Sequence, residues 1–143
     1  MDIDIKVAAQ ADGPVLITAP PADALVIAER IAAANGDWQM DVVNCDLTKG
    51  GDIVAAITDS RRRAQTTSRK HILFLREVQT LTEFEQATLM HRVSESQPGP
   101  ADPSARVFAS SSVNLFEHVE RGWFDERLFY YLNRVHIVLS ELP

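Results

Sequence analysis

Ile72-Leu-Phe-Leu75, inside His71-Ile-Leu-Phe-Leu-Arg-Glu-Val78, is the most hydrophobic run in the chain and decides how the rest is read. Consecutive apolar residues without polar alternation suit a strand covered on both faces, so this segment belongs at the centre of a parallel sheet. Outward from it, Asp41-Val-Val-Asn44 and Arg106-Val-Phe-Ala109 read as strands, the first following the turn at Asn35-Gly36-Asp37. Pro14-Val-Leu-Ile-Thr18, bounded by Gly13 and by Pro20-Pro21, and Val135-His-Ile-Val-Leu139 complete a set of five.

Helical patterns alternate with these strands. Residues 22–34 place Leu25, Ala28, Ile31 and Ala32 on one face and stop at Asn35-Gly36. Residues 52–66 present Ile53, Ala56, Ile57 and Ala64 and end near Arg61, Arg62 and Arg63, whose charges complement a helix dipole. Residues 80–94 offer Leu81, Phe84, Ala87, Leu89 and Met90. Thr80 or Thr82 is the expected N-cap there, with Glu83 or Glu85 as the acidic partner three residues on. Ser94 to Ser104, rich in Pro and Ser, reads as a surface loop. Residues 113–120 and 123–132 read as two short helices broken at Gly122. The alternation implies one α/β doubly wound domain over residues 1–143, with right-handed crossovers.

Composition narrows the function classes. A chain of 143 residues can bury one core, and 45% hydrophobic with 24% charged residues excludes a disordered segment. The net charge of -6 repels phosphate, which argues against whole-molecule attraction to DNA or an anionic membrane. Met1 to Lys6 alternates Asp and Ile and makes no signal peptide, and no apolar stretch approaches the ~18–20 residues of a membrane span. A cytoplasmic protein is expected. Cys45 is the only cysteine, which excludes an internal disulfide and a Cys-based zinc site. His71, His91, His118 and His136 lack paired-ligand spacing, so no metal is expected.

Three segments resemble, in order and spacing, the AAA+ ATPase domain of sigma-54-dependent transcription activators. Val7 to Thr18 is similar to the helix end and first strand that lead into that family's phosphate-binding loop. His71 to Val78, with a following helix carrying Gln86, Leu89 and Val93, resembles its Walker B strand and next helix. Arg106-Val-Phe-Ala-Ser-Ser-Ser-Val-Asn-Leu115 and Arg121-Gly-Trp-Phe-Asp-Glu-Arg-Leu-Phe-Tyr-Tyr-Leu-Asn133 resemble its sensor strand and the block after it; Val42-Val-Asn-Cys45 matches a further strand. The resemblance covers nearly the whole chain and implies a five-stranded parallel sheet in the order 5-1-4-3-2.

The departures from that pattern bear on function. A phosphate-cradling loop needs glycines, so that successive N–H groups turn inward, and a lysine for the β/γ-phosphates. Here the positions read Ala19, Pro20, Pro21, Ala22, Asp23, Ala24, Leu25 and Val26, with no glycine, no lysine and an added carboxylate. Arg76 stands where the resemblance implies a magnesium-holding Asp, leaving Glu77 alone of the pair. Ser112 occupies the polar sensor position. Asp125 and Tyr131 fall where two trans-acting arginines are implied. Residues 46–70 are too short for the family's sigma-contacting insertion, and its helical lid would begin only at Ser140-Glu-Leu-Pro143. The expected protein is therefore a catalytically inactive interaction module with no cofactor, its partner an intact activator, a signalling protein or its own copy. The rival is a domain that retains ATP binding or hydrolysis.

Simpler readings stand beside these. Glu77 reads as a strand-end carboxylate paired with Arg76 or another base. Arg61, Arg62, Arg63, Arg69 and Lys70 read as a solvated helix end in preference to a nucleic-acid site. Cys45 reads as a small core residue. Phe124, Leu128 and Leu132 make a buried stripe at i, i+4 spacing, leaving Trp123, Asp125, Glu126, Tyr130 and Tyr131 as a candidate protein interface. A receiver-type phosphoacceptor is excluded, because Thr18-Ala-Pro, Arg76-Glu77 and Ser140-Glu141 replace the acidic pair, the Asp and the Lys it needs.

Overall fold

The computed structural model describes residues 2–11, 13–34, 36, 38–47, 51–66, 70–95 and 105–139. The chain runs α1 (Asp2–Gln10), β1 (Val15–Thr18), α2 (Pro21–Ala34), β2 (Trp38–Asn44), α3 (Gly51–Thr66) and β3 (Lys70–Arg76). A 3₁₀ turn at Val78–Thr80 leads to α4 (Glu83–Glu95), β4 (Ala105–Ser111), α5 (Leu115–Glu120), α6 (Glu126–Leu132) and β5 (Val135–Val138). All strand pairs are parallel, in the order β2-β3-β4-β1-β5. That is the expected order read from the other edge.

Side chains alternate across a strand, so β3 feeds two cores. Leu73 and Leu75 join Leu16 and Ala109 under Ile53 and Ile57 of α3, Leu89 of α4, and Leu115, Leu128 and Leu132 of α5 and α6. Ile72 and Phe74 join Val15, Ile17 and Phe108 on the opposite face, beneath α1 and α2. His71 to Leu75 are all buried, as the apolar run requires of a central strand.

The edges depart from the two-sided burial expected of every strand. β2 exposes Gln39 and Val42, and β5 exposes His136 and Val138. Each has one neighbouring strand, and helices cover it incompletely. In α2 the buried face is Ala24, Ile27, Ala28, Ile31 and Ala32, with Leu25 at its margin.

The face of α4 is also corrected. Phe84 is 71% exposed and Ala87 is exposed, whereas Glu85 and Gln86 are buried. Polar bonding wins over hydrophobicity at this helix start. Thr82 and Glu85 form the reciprocal box, the Thr82 N–H donating to Glu85 Oε1 (2.8 Å) and the Glu85 N–H to Thr82 Oγ1 (3.2 Å). The expected surface loop at 94–104 coincides with the end of α4 at Ser94–Glu95, and beyond that it lies outside the described residues until β4.

Candidate functional site

β1 and β4 are neighbours whose chains leave on opposite faces, β1 into α2 and β4 into α5. In open α/β sheets this switch point opens the crevice where ligands bind, beyond the carboxyl ends of the strands. Thr18 pairs with Ser111 of β4 and Val138 of β5, so the three strand ends lie level there.

Only Ala19 and Pro20 separate β1 from α2. Pro21 takes the first helical position, where a missing N–H costs nothing and the fixed φ suits the helix. The Ala24 N–H already donates to the Pro20 carbonyl (2.9 Å), and the Ala19 N–H to the Ser111 carbonyl (3.1 Å). Ala19 and Ala24 are buried, Leu25 is half-buried, and Pro21, Ala22 and Asp23 are exposed. Asp23 lies in the first turn, where its charge complements the helix dipole. The chain itself thus takes the N–H groups of Ala19 and Ala24 on either side of the helix start.

Across the crevice, Arg76 Nη2 donates to the Pro21 carbonyl at 2.6 Å. Glu77 does not pair with Arg76. Its Oε2 accepts from Ser112 Oγ and from Gln79 Nε2, each at 2.7 Å. The arginine reaches the opposite loop, so neutral donors take the carboxylate. Glu77 sits in the left-handed region (φ 59°), with its N–H directed at Ser110 Oγ (3.4 Å). A non-glycine residue there stores roughly 1 kcal/mol or more of strain, which recurs at sites built for a purpose. Arg76 Nε and Glu77 Oε1 are shielded without a hydrogen-bond partner among the described residues, so Arg76 is held through Nη2 and Glu77 through Oε2.

The block from Asn114 to Asn133 forms an elbow of two capped helices. Asn114 accepts from the N–H groups of Phe116 and Glu117, and Asp125 from those of Arg127 and Leu128. Gly122, at φ 77°, makes the break between them. Asp125 is therefore an N-cap. Phe124, Leu128 and Leu132 are buried as the stripe requires, and Phe129 joins them. Trp123 and Tyr130 are each 56% exposed and Glu126 is exposed, while Tyr131 is half-buried and packed against the core. His118 meets the Trp123 ring edge-on at 5.2 Å, and the Arg121 guanidinium lies over that ring at 5.1 Å.

Sequence reasoning missed what holds this elbow. Buried Gln86 donates from Nε2 to the carbonyls of Leu81 and Trp123 (both 3.0 Å) and accepts from the Asp125 N–H at Oε1 (2.7 Å). A glutamine on the inner face of an amphipathic helix was the available signal.

Other polar groups are committed elsewhere. Arg63 pairs with Asp41 (3.2 Å), Arg62 approaches Asp59 (3.9 Å), and Lys70 lies over the Trp38 ring (5.3 Å). Arg69 and the side chain of Arg61 lie outside the described residues. Asp41 also accepts from Ser60 Oγ (3.0 Å) and lies 3.8 Å from His71 Nδ1. With the carboxylate in the middle, the hydroxyl faces Asp41 and not the imidazole, so this trio lacks the order of a hydrolytic triad. Burial, aided by Glu85 and Asp46, pushes the Cys45 thiol up to about 12, which keeps it a protonated core residue. His136 Nε2 lies 2.8 Å from Thr18 Oγ1, and although the residue is partly exposed at the sheet edge, the desolvation that remains lowers its pKa. A shallow depression of about 470 Å³ between Glu29, Ala32, Trp38 and Met40 lies at the opposite end of the sheet from the crevice.

Strand order and crevice together define a P-loop NTPase-like domain. The model of the sigma-54 interaction domain family matches residues 1–142, and the chain belongs to that family. Among solved structures, NtrX from Brucella abortus in complex with ATP aligns with a TM-score of 0.74 at 20% identity, over 96% of this chain and 35% of that one. The P-loop NTPase domain of a sigma-54 activator from E. coli aligns at 0.64 and 16% identity, over 99% and 93% of the two chains. The RuvB Holliday junction branch migration motor of Thermotoga maritima aligns at 0.65 and 15%, over 97% and 42%. These likenesses share the fold, and the chain spans about a third of the NtrX length. Comparison with curated proteins gave no match. Among the described residues, no helix is long and apolar enough to cross a membrane and no group of acidic, His or Cys side chains could hold a metal ion.

Proposed function

We propose that this chain is a sigma-54-activator AAA+ domain that does not hydrolyse nucleotide and acts as a regulatory protein-interaction module in bacterial transcription or signalling control. The observation that carries this reading is the two-residue connection from β1 to α2. A P-loop wraps a phosphate with a longer glycine-rich segment and a lysine. Ala19, Pro20 and Pro21 supply neither the length nor the donors.

The residues present do not fit a magnesium nucleotide. Arg76 cannot ligate a cation, and its guanidinium is already turned onto the Pro21 carbonyl. Asp23 adds negative charge where a triphosphate would lie. Asp125, at an implied arginine position, serves its own helix as a cap. The surface left for function is the elbow, where Trp123, Glu126 and Tyr130 stand out from a rigid base. Exposed aromatics on such a base suit a protein contact. An intact sigma-54 activator, a signalling protein or a second copy would be the partner, in the cytoplasm.

The rival reading, retained nucleotide binding, draws on the likeness to NtrX solved with ATP. A thermal-stability titration with ATP and ADP, with and without Mg²⁺, separates the two. A specific ligand at 100 times its dissociation constant adds about 2.7 kcal/mol, several degrees in Tm. No shift at millimolar nucleotide is expected, and a Mg²⁺-dependent rise would sink the proposal. For the contact surface, Trp123→Ala with Tyr130→Ala is expected to weaken partner capture or self-association at least tenfold while leaving the fold intact. Undiminished association would remove the elbow as the site.

A further inference from the structure

Arg76 does more than replace a metal ligand. β3 and β1 are separated by β4, so their axes lie two strand spacings apart, roughly 10 Å. The Arg76 side chain starts at the end of β3, passes the end of β4 and reaches the first residue of α2. It therefore crosses the mouth of the switch-point crevice. On the same rim, Ala19 is tied to Ser111 through its N–H, and Ser112 to Glu77. The loop after β1, the end of β3 and the end of β4 are joined around the crevice by the protein's own groups.

We propose that Arg76 is an internal strut that takes the place of a ligand in this crevice, holding the start of α2 against β3 and keeping the crevice closed without an effector. The charge-assisted bond to Pro21 supplies the cross-crevice tie, and the two-residue connection before α2 makes that tie short enough for one side chain to span. The strut rests on the reading of the domain as nucleotide-free. It adds that the crevice has one conformation, so that it would not open and close as a ligand comes and goes.

Hydrogen exchange on the whole chain tests this at the amides of residues 22–26. In Arg76→Met, which keeps the apolar stem and removes the donors, these amides are expected to exchange about tenfold faster than in wild type, with the amides of β1 and β4 unchanged. Arg76→Gln, too short to span the crevice, is expected to do the same. Unaltered exchange at 22–26 in either folded variant would overturn the strut. Should neither variant fold, guanidinium NMR of the wild type decides. Slow rotation and protected Nη protons at Arg76 support the strut, and the fast averaging of a solvated arginine overturns it. Nucleotide binding by the wild type would instead refute the underlying reading, a distinct outcome.

Discussion

Replacing Gln86 with leucine is expected to lower the unfolding free energy by about 3 kcal/mol, which for a chain of this size is roughly 10 °C in Tm. The two side chains are similar in volume, so the loss does not come from a cavity. It comes from three backbone groups left behind: the carbonyls of Leu81 and Trp123 and the N–H of Asp125. Gln86 is 3% exposed, so water replaces these bonds poorly, and each abandoned group carries its desolvation cost. Gln86→Glu is expected to cost at least as much as leucine, because a buried carboxylate is desolvated and faces two carbonyl oxygens to which it cannot donate, although it still accepts from Asp125. Urea denaturation checks this through the midpoint at constant slope. A loss below about 1 kcal/mol would mean that the elbow is held by its apolar stripe and caps alone. The result bears on function because Gln86 grips both residues flanking Phe124, and with them the presentation of Trp123.

Arg106→Ala is expected to cost about 3–4 kcal/mol, the other large effect in the molecule. Arg106 is 7% exposed on β4 and points to the α1 side of the sheet. Its Nη2 donates to the carbonyls of Ala8 (3.0 Å) and Gly13 (2.9 Å), its Nε to Gly13 (3.3 Å), and the guanidinium stacks over Phe108 at 5.1 Å. Ala8 lies in the last turn of α1, where carbonyls lack helical partners and the dipole favours a cation. Truncation removes the donors, the stacking and the charge together, and releases α1 from the sheet. Arg106→Lys is expected to recover less than half of the loss, since an ammonium cannot fork between two carbonyls while lying flat on a ring. Hydrogen exchange should show α1 opening before the rest. Stability within about 1 kcal/mol of wild type would show that α1 is held by Ile5, Ala8 and Ala9 alone.

Both residues were hard to see in advance for one reason. Periodicity reports where apolar side chains recur, and it is silent about polar side chains that serve distant backbone groups. In α4 it favoured Phe84 and Ala87, yet Glu85 and Gln86 point inward. Two of the three groups that satisfy Gln86 lie 37 and 39 residues away in sequence, and the carbonyls that Arg106 serves lie more than 90 away. No local pattern encodes such partners.

The crevice was legible to a different extent. The absence of glycine and lysine from Ala19 to Leu25 is written in the residues. That α2 starts at Pro21, and that Arg76 turns onto its first carbonyl while Glu77 takes Ser112 and Gln79, depends on chain segments meeting across β4.

The sequence by itself determined the five strands, the parallel sheet and the two short helices broken at Gly122, from apolar runs and turn residues; the strand order and the family came from the motif resemblance. Tertiary structure alone decided which polar groups tie the elements together, which aromatics of the elbow stay exposed, and what crosses the crevice mouth. The physical reason is that apolar burial is non-directional and can be read one segment at a time. A hydrogen bond needs a donor and an acceptor brought within about 3 Å, and only the folded chain sets that meeting.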